Sequence, residues 1–258
     1  MKEKIKRLYF QRQLIINIVL KELKNKYAGS FLGIFWAVVN PLLIMTAINF
    51  VFTNVMKMNI KDFPLFVLSA LLPWMSFSAS IYDATNSISR NGHLLNQFNI
   101  SKEILPVSAV AVNFINLFLG LIIMIPVFAI FKFKIIFFLF LLPFIFLLHL
   151  IFTLGLGLLL SCLNVFFRDI YHFLEVGLLF WFWVTPVFYS LDMIPFRFQW
   201  ACKLNPMAIY VTMYRNILFE ARFPNIGLLI IAIAMSMLML ITGYFMFLKY
   251  EPAFLKRV

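Results

Sequence analysis

Lys24-Asn25-Lys26-Tyr27-Ala28-Gly29-Ser30-Phe31-Leu32-Gly33-Ile34-Phe35-Trp36 is the junction on which the fold turns. Residues 1–30 carry eight Lys or Arg (Lys2, Lys4, Lys6, Arg7, Arg12, Lys21, Lys24, Lys26) against Glu3 and Glu22, and residues 31–56 carry no charge at all. A span of that length, at 1.5 Å rise per residue, reaches about 39 Å, enough to cross a hydrocarbon core of about 30 Å with some tilt. A basic block ahead of a first span holds that end in the cytoplasm. The chain therefore reads as starting inside, lying on the membrane and then crossing it.

Composition carries the same reading to the whole chain. Its residues are 64% hydrophobic and 12% charged, whereas a soluble domain has about 45–50% apolar and about 25% charged residues. An all-α, polytopic membrane protein is expected. The formal net charge of +12 invites a nucleic-acid partner. The cations sit mainly at membrane boundaries, where topology and anionic lipid account for them, so no nucleic acid is expected. A cleavable signal peptide is not expected, because the first apolar stretch is too long for one and no small-residue cleavage site follows it. Cys162 and Cys202 are too far apart in sequence for a metal motif, and no disulfide is expected.

Six apolar segments can be drawn outward from the junction: 31–56, 63–86, 105–131, 135–163, 171–190 and 226–248. An even count returns the C-terminus to the cytoplasm. The basic residues assigned inside outnumber those assigned outside, although most of the bias comes from the N-terminus. The organisation expected is one domain over 1–258, with a cytoplasmic interfacial helix (1–30), a six-span bundle (31–248) and a cytoplasmic tail (249–258). Within residues 8–27, Ile15, Ile18, Val19, Leu23 and Tyr27 share one side, opposite Gln13, Asn17, Lys21 and Lys24. That pattern predicts an amphipathic helix in the headgroup plane, either a lipid anchor or a docking surface for a cytoplasmic partner. Residues 191–225 contain Pro195, Pro206 and Pro224 yet are too apolar for a free loop. They read as one or two short helices that re-enter the outer leaflet or lie on it.

The sequence offers little catalytic chemistry. None of its nine glycines belongs to a Walker-type phosphate loop, so the chain has no visible means of using ATP itself. No catalytic, cofactor-binding or metal-ligating residue is assigned. His149, within Leu147-Leu148-His149-Leu150, is the histidine deep in a span. It is either functional or, the reading favoured, a neutral imidazole bonded to a neighbouring helix. Asp83, Asp169 and Glu175 fall near cytoplasmic ends and read as structural or coupling groups. Trp36, Trp74, Trp181, Trp183 and Trp200, with Tyr82, Tyr189, Tyr210 and Tyr214, are interfacial belt residues by default. Aromatic faces also stack on sugar rings. In Phe180-Trp181-Phe182-Trp183-Val184-Thr185-Pro186 the rings surround the helix, and Pro186 is expected to kink the fifth span.

Four stretches, in order, resemble the membrane subunit of type-2 ABC exporters for polysaccharides, including O-antigen, capsule and teichoic acid permeases. The first is Lys26-Tyr27-Ala28-Gly29-Ser30-Phe31-Leu32-Gly33 with Trp36 and Pro41. The second runs from Leu72-Pro73-Trp74 through Asn86 and Asn91 to Glu103-Ile104-Leu105-Pro106. The third is Asn164-Val165-Phe166-Phe167-Arg168-Asp169, followed by Thr185-Pro186 and Tyr189. The fourth is Asn205-Pro206-Met207 followed by Tyr214-Arg215. The departure is Phe98-Asn99, where the family commonly has Phe-Pro.

The resemblance implies a homodimer in the bacterial cytoplasmic membrane that binds two copies of a separate ATPase. ATP and Mg would be held by that partner, and none by this chain. The cargo would be a lipid-linked polysaccharide drawn through a channel between the protomers. By the same analogy, Lys21, Lys24, Tyr27, Asn91, His93, Asn96, Glu103, Arg168 and Asp169 would couple to the ATPase. Trp36, Trp74, Trp181, Trp183 and Tyr189 would line the glycan path, and Lys26 and Arg90 would meet a lipid diphosphate head group. Asn205, Pro206, Tyr210 and Tyr214 would belong to an outer gate in which both tyrosines meet sugar rings. Two other classes stay open on the residues alone: a membrane-embedded glycosyl- or acyltransferase, and an ion-coupled flippase of lipid-linked glycan.

Overall fold

A computed structural model describes residues 11–55, 61–91, 101–190 and 193–256. Every regular element among them is helical. They are α1 (Arg12–Tyr27), α2 (Trp36–Phe50, drawn on as a π turn over Val51–Val55), α3 (Phe63–Arg90), α4 (Ile104–Phe131), α5 (Leu142–Phe166), α6 (Ile170–Val184), α7 (Phe196–Leu204), α8 (Pro206–Leu218) and α9 (Ile226–Tyr250). Short 3-10 turns join or extend them at Gly33–Phe35, Phe133–Leu141 and Glu251–Lys256.

Among the described residues, four stretches are long and apolar enough to cross a membrane: Phe63–Arg90, Ile104–Phe131, Phe133–Phe166 and Ile226–Phe254. They match the second, third, fourth and sixth expected segments to within a few residues. At the first and fifth places stand shorter apolar helices, Val39–Asn54 and Ile170–Val184. Of the six spans expected, four therefore stand at full length. The fifth stops early because Thr185 precedes Pro186, whose ring disfavours helix at the residue before it, and Thr185 takes an extended backbone (φ −86°, ψ 131°).

The long helices alternate in direction, and polar pins mark both ends. Asp62, before α3, pairs with Lys132, after α4, at 3.1 Å. At the opposite end, Asn164 of α5 donates to the Thr85 carbonyl (3.1 Å) and to Asn86 Oδ1 (3.3 Å) of α3. Lys102, ahead of α4, donates to the Glu251 carbonyl at 2.7 Å, so α9 ends where α4 begins. Asn164 of the Asn-Val-Phe-Phe-Arg-Asp stretch is thus a helix-to-helix tie.

α3 is the hub of the bundle. Between Leu65 and Ile88 its residues are buried except Met75, Ser78, Ala79, Tyr82, Asp83 and Asn86. Those six recur at helical spacing and form one open stripe. α5 and α9 approach most closely at Gly155 and Gly243. A Cβ on Gly243 would run into the Gly155 carbonyl, and one on Gly155 would strike the Met239 backbone. Small residues let helix backbones meet where side chains would hold them apart.

α1 does not stand free. Its inward side carries buried Val19 with half-buried Ile15, Ile18, Leu23 and Tyr27, while Gln13, Asn17, Lys21 and Lys24 are exposed, as are Ile16 and Leu20. Gln11 accepts from the Ser101 amide at 3.2 Å, Lys26 donates to Asn113, and Tyr27 donates to Asn116. Contacts fifteen and sixteen residues along α1 therefore meet positions twelve and fifteen residues beyond Ser101. α1 runs alongside the first half of α4 on a bed of protein. The chain then turns through Gly29 and Gly33, whose φ values of +71° and +51° lie in the left-handed region. That conformation costs an L-residue with a side chain about 1–2 kcal/mol.

Two short helices, α7 and α8, occupy the stretch where the sequence calls for one or two. Asn205 caps α8, its Oδ1 accepting from the Met207 and Ala208 amides, with Pro206 at the first helical position. Eleven of the 13 residues of α8 are buried. The tail is also built in: Phe254 is buried in a cluster with Ile88, Leu105, Leu158, Cys162, Val165 and Phe247.

Candidate functional site

The open stripe of α3 is the floor of a groove, and two adjoining clefts lie along it. The first, about 800 Å³, is walled by α1, α4 and α6 and contains Lys21, Glu22, Lys26, Tyr82, Asp83, Arg90, Asn91 and Glu175. Three cations there face three carboxylates, so it is a polar mouth with no net charge. The second, about 600 Å³, lies between α1, α2, α3 and α4. Its polar lining is Lys26, Tyr27, Ser30, Trp36, Asn40, Ser76, Asn113 and Asn116. Lys26, Met75 and Ala79 line both, so the clefts form one continuous groove.

A relay of side chains sits at their junction. Lys26 Nζ donates to Asn113 Oδ1 at 2.9 Å, and Asn113 Nδ2 donates to Asp83 Oδ2 at 2.8 Å. Asn113 is 2% exposed, so a buried amide bridges Lys26 and Asp83 by hydrogen bonds. One turn on, Tyr27 donates its hydroxyl to Asn116 Oδ1 at 2.8 Å. Burial pushes the Tyr27 phenol above its ordinary range, which keeps it a neutral donor. Asn116 Nδ2 is buried with no hydrogen-bond partner among the described residues.

Of the residues expected to couple to an ATPase, Lys21 and Lys24 are exposed on α1, and Lys21 lines the mouth. Tyr27 points inward. Asn91 closes the C-terminal end of α3 by donating to the Ser87 carbonyl at 3.0 Å. Arg168 and Asp169 are exposed in the tight turn between α5 and α6. Glu103 is buried at the start of α4. His93 and Asn96 lie outside the described residues. The two head-group residues, Lys26 and Arg90, both line the mouth.

Of the aromatic residues, Trp36 lines the second cleft. Trp183 is exposed, and its carbonyl accepts from the Tyr189 hydroxyl at 3.0 Å. Trp74 and Trp181 pack edge to face, 6.3 Å between centroids, with Phe77 and Phe182 around them. Trp74 thus faces protein.

Two expectations for the outer segment are corrected. Tyr210 and Tyr214 do share a face, but both are fully buried, and Tyr210 bonds Ser236 of α9 at 2.7 Å. The apolar middle of 191–225 is apolar because α8 is core. Asn205 does more than turn the chain: it accepts from Trp181 Nε1 (2.7 Å) and donates to Thr185 Oγ1 (3.1 Å), tying α8 to the end of α6. His149 is likewise corrected. Its ring stacks on Tyr210 at 5.1 Å and meets Phe114 at 4.9 Å, and neither ring nitrogen has a hydrogen-bond partner among the described residues.

Sequence reasoning passed over three residues. Asn113 and Asn116 are amides inside an apolar span, a signal visible in the sequence. Arg215, quoted in the Tyr214-Arg215 pair but given no role, is 4% exposed. Its guanidinium donates to the carbonyls of Pro186 (2.8 Å), Val187 (3.0 Å) and Tyr189 (3.3 Å) and lies 3.8 Å over the Phe66 ring. It therefore satisfies the carbonyls of the non-helical segment that follows α6.

Comparison with known proteins bears on the same elements. Residues 13–219 match the family model described as ABC-2 type transporter. An O-antigen export system permease protein RfbA of Myxococcus xanthus is 35% identical over 238 residues, 92% of each chain. A protein of the same name from Klebsiella pneumoniae is 30% identical over 209 residues, 79% of each chain.

Proposed function

The chain belongs to the ABC-2 type transporter family and is the permease subunit of an ABC polysaccharide exporter, and from that premise we propose how its parts divide the work. Two copies pair with their grooves facing, enclosing a path for a lipid-linked polysaccharide across the bacterial cytoplasmic membrane. α2 and α6 complete six crossings, with both termini in the cytoplasm. Their shortness fits helices that border a watery path and not a full thickness of lipid. α1 flanks the cytoplasmic half of α4, with its polar face outward. α7 and α8 close the outer end; α8 is fixed in the core, which leaves α7, with Trp200 and Leu204 exposed, as the part free to move.

ATP and Mg are held by two copies of a separate ATPase. It docks on the face that carries the exposed side of α1, the loop between α3 and α4, and the Arg168–Asp169 turn. A diphosphate head group meets Lys21, Lys26 and Arg90 at the mouth. The observation that carries this reading is the groove itself. It begins among charged side chains at the basic end of the bundle and continues along the one open stripe of α3 into a cleft whose single charge is Lys26, at its rim.

Reconstitution tests it. The permease is placed in liposomes with its cognate ATPase and a fluorescent lipid-linked glycan. ATP-dependent appearance of glycan on the far side, lost with an ATPase unable to hydrolyse ATP, is the expected result. Translocation that persists without the ATPase and follows a proton gradient would replace this reading with the flippase.

A further inference from the structure

The second cleft has a chemistry of its own. Its polar wall consists of neutral groups, namely the amides of Asn40, Asn113 and Asn116 and the hydroxyls of Ser30 and Ser76, with the indole of Trp36 beside them. The one charge is Lys26, at the rim where the two clefts join, already committed to Asn113. At about 600 Å³ the cleft falls within the size of small-molecule sites. Asn113 and Asn116 stand about three and four turns into α4. Amides at such depth are costly unless they have something to bond. Asn113 is spent on Lys26, Asp83 and the Ala109 carbonyl. Asn116 is half spent: its oxygen accepts from Tyr27, and its buried Nδ2 has no partner among the described residues.

Neutral donors and acceptors around one aromatic face suit a ligand that is rich in hydroxyls, carries no charge and has one apolar face. An anion would find no cation beyond the rim, and an alkyl chain would strand the amides. We infer that this cleft binds an uncharged sugar ring, the one next to the diphosphate, with Asn116 donating to a ring hydroxyl and Trp36 covering the ring face. The inference rests on the exporter reading, which supplies the diphosphate at the neighbouring mouth. Lys26 then marks the boundary between the two parts of the ligand: phosphate on its mouth side and sugar beyond it. The cleft recognises the first sugar of the cargo, whatever polymer follows.

The test compares two soluble probes on the purified permease–ATPase complex in nanodiscs: a short-chain alkyl diphosphate, and the same molecule bearing one uncharged hexose. Binding is followed by calorimetry. Wild type should bind the sugar-bearing probe more tightly. Asn116→Leu and, independently, Trp36→Ala should each reduce that preference about tenfold, the effect of one hydrogen bond or one ring contact. Neither should change affinity for the sugar-free probe, which also reports that the variants are folded. Trp36→Phe should retain most of the preference. An undiminished preference in both Asn116→Leu and Trp36→Ala overturns the inference and leaves the exporter reading standing. Failure of wild type to bind either probe would overturn the reading beneath it.

Discussion

Replacing Arg215 by Met tests how the outer end of α6 is held. Met keeps an unbranched chain against Phe66 and avoids a large cavity, so the change isolates the three hydrogen bonds. Without the guanidinium, the carbonyls of Pro186, Val187 and Tyr189 lose their donor. Each buried acceptor left unpaired costs about 1–3 kcal/mol. Pro186 and Val187 are buried, so two such losses give about 2–6 kcal/mol. Removing a buried charge returns part of its desolvation cost, which pulls the net toward about 3 kcal/mol. For a chain of this size that corresponds to a drop in Tm of about 6–12 °C. Arg215→Lys keeps the charge but lacks the planar fork, so it reaches fewer carbonyls and should fall between the two. Thermal unfolding in nanodiscs, followed by tryptophan fluorescence, measures both. Arg215→Met melting within about 2 °C of wild type would refute the argument that this guanidinium caps the break.

Gly243→Val should prevent α5 and α9 from closing, because even its Cβ lands on the Gly155 carbonyl; the expected result is loss of monodisperse protein on size exclusion, with Gly177→Ala, which meets nothing within 4 Å, as the tolerated control. Ending the chain after Tyr250 removes the buried Phe254 ring and should cost about 3–5 kcal/mol, the range for deleting a buried phenylalanine, visible as a lower Tm with membrane insertion intact. Asp62→Asn should cost no more than about 1 kcal/mol, since the pair with Lys132 is partly exposed, and a larger loss in urea unfolding would show that this pin matters more than its solvent contact allows. With Cys162 and Cys202 replaced, cysteines at positions 4 and 256 should resist an impermeant maleimide in intact cells, and labelling from outside would overturn the topology.

The long helices were legible because their apolar runs are uninterrupted and their ends carry charge or turn residues. The Asn205-Pro206 start of α8 was legible because Asn accepts from free amides and Pro suits the first helical turn. α6 was misjudged in length. Pro186 was read as a kink, but the chain after it has partners elsewhere: Arg215 takes the carbonyls that follow the helix and Asn205 takes Trp181 and Thr185. No local pattern tells a kink from a stop when the deciding donors come about twenty to thirty residues later. Arg215 was given no role for the same reason, since its acceptors exist only after α6 breaks. The apolar face of α1 was visible in the sequence. Its bed on α4 was not, because lipid and protein select the same apolar spacing. The groove was half legible: Lys21, Lys26, Arg90 and Trp36 were singled out, while Asn113 and Asn116 were lost inside a span read only for its length.

The central claim is that cargo travels along the open stripe of α3. Site-specific photo-crosslinking tests it most directly. A benzophenone amino acid is placed at Ala79, which lines both clefts, and separately at Leu238, exposed on α9. Labelled lipid-linked glycan is then exported under illumination with the ATPase and ATP present. Adducts that form at position 79, depend on ATP and are rare at position 238 are the expected result. Equal labelling at the two sites, or labelling confined to position 238, would contradict the account.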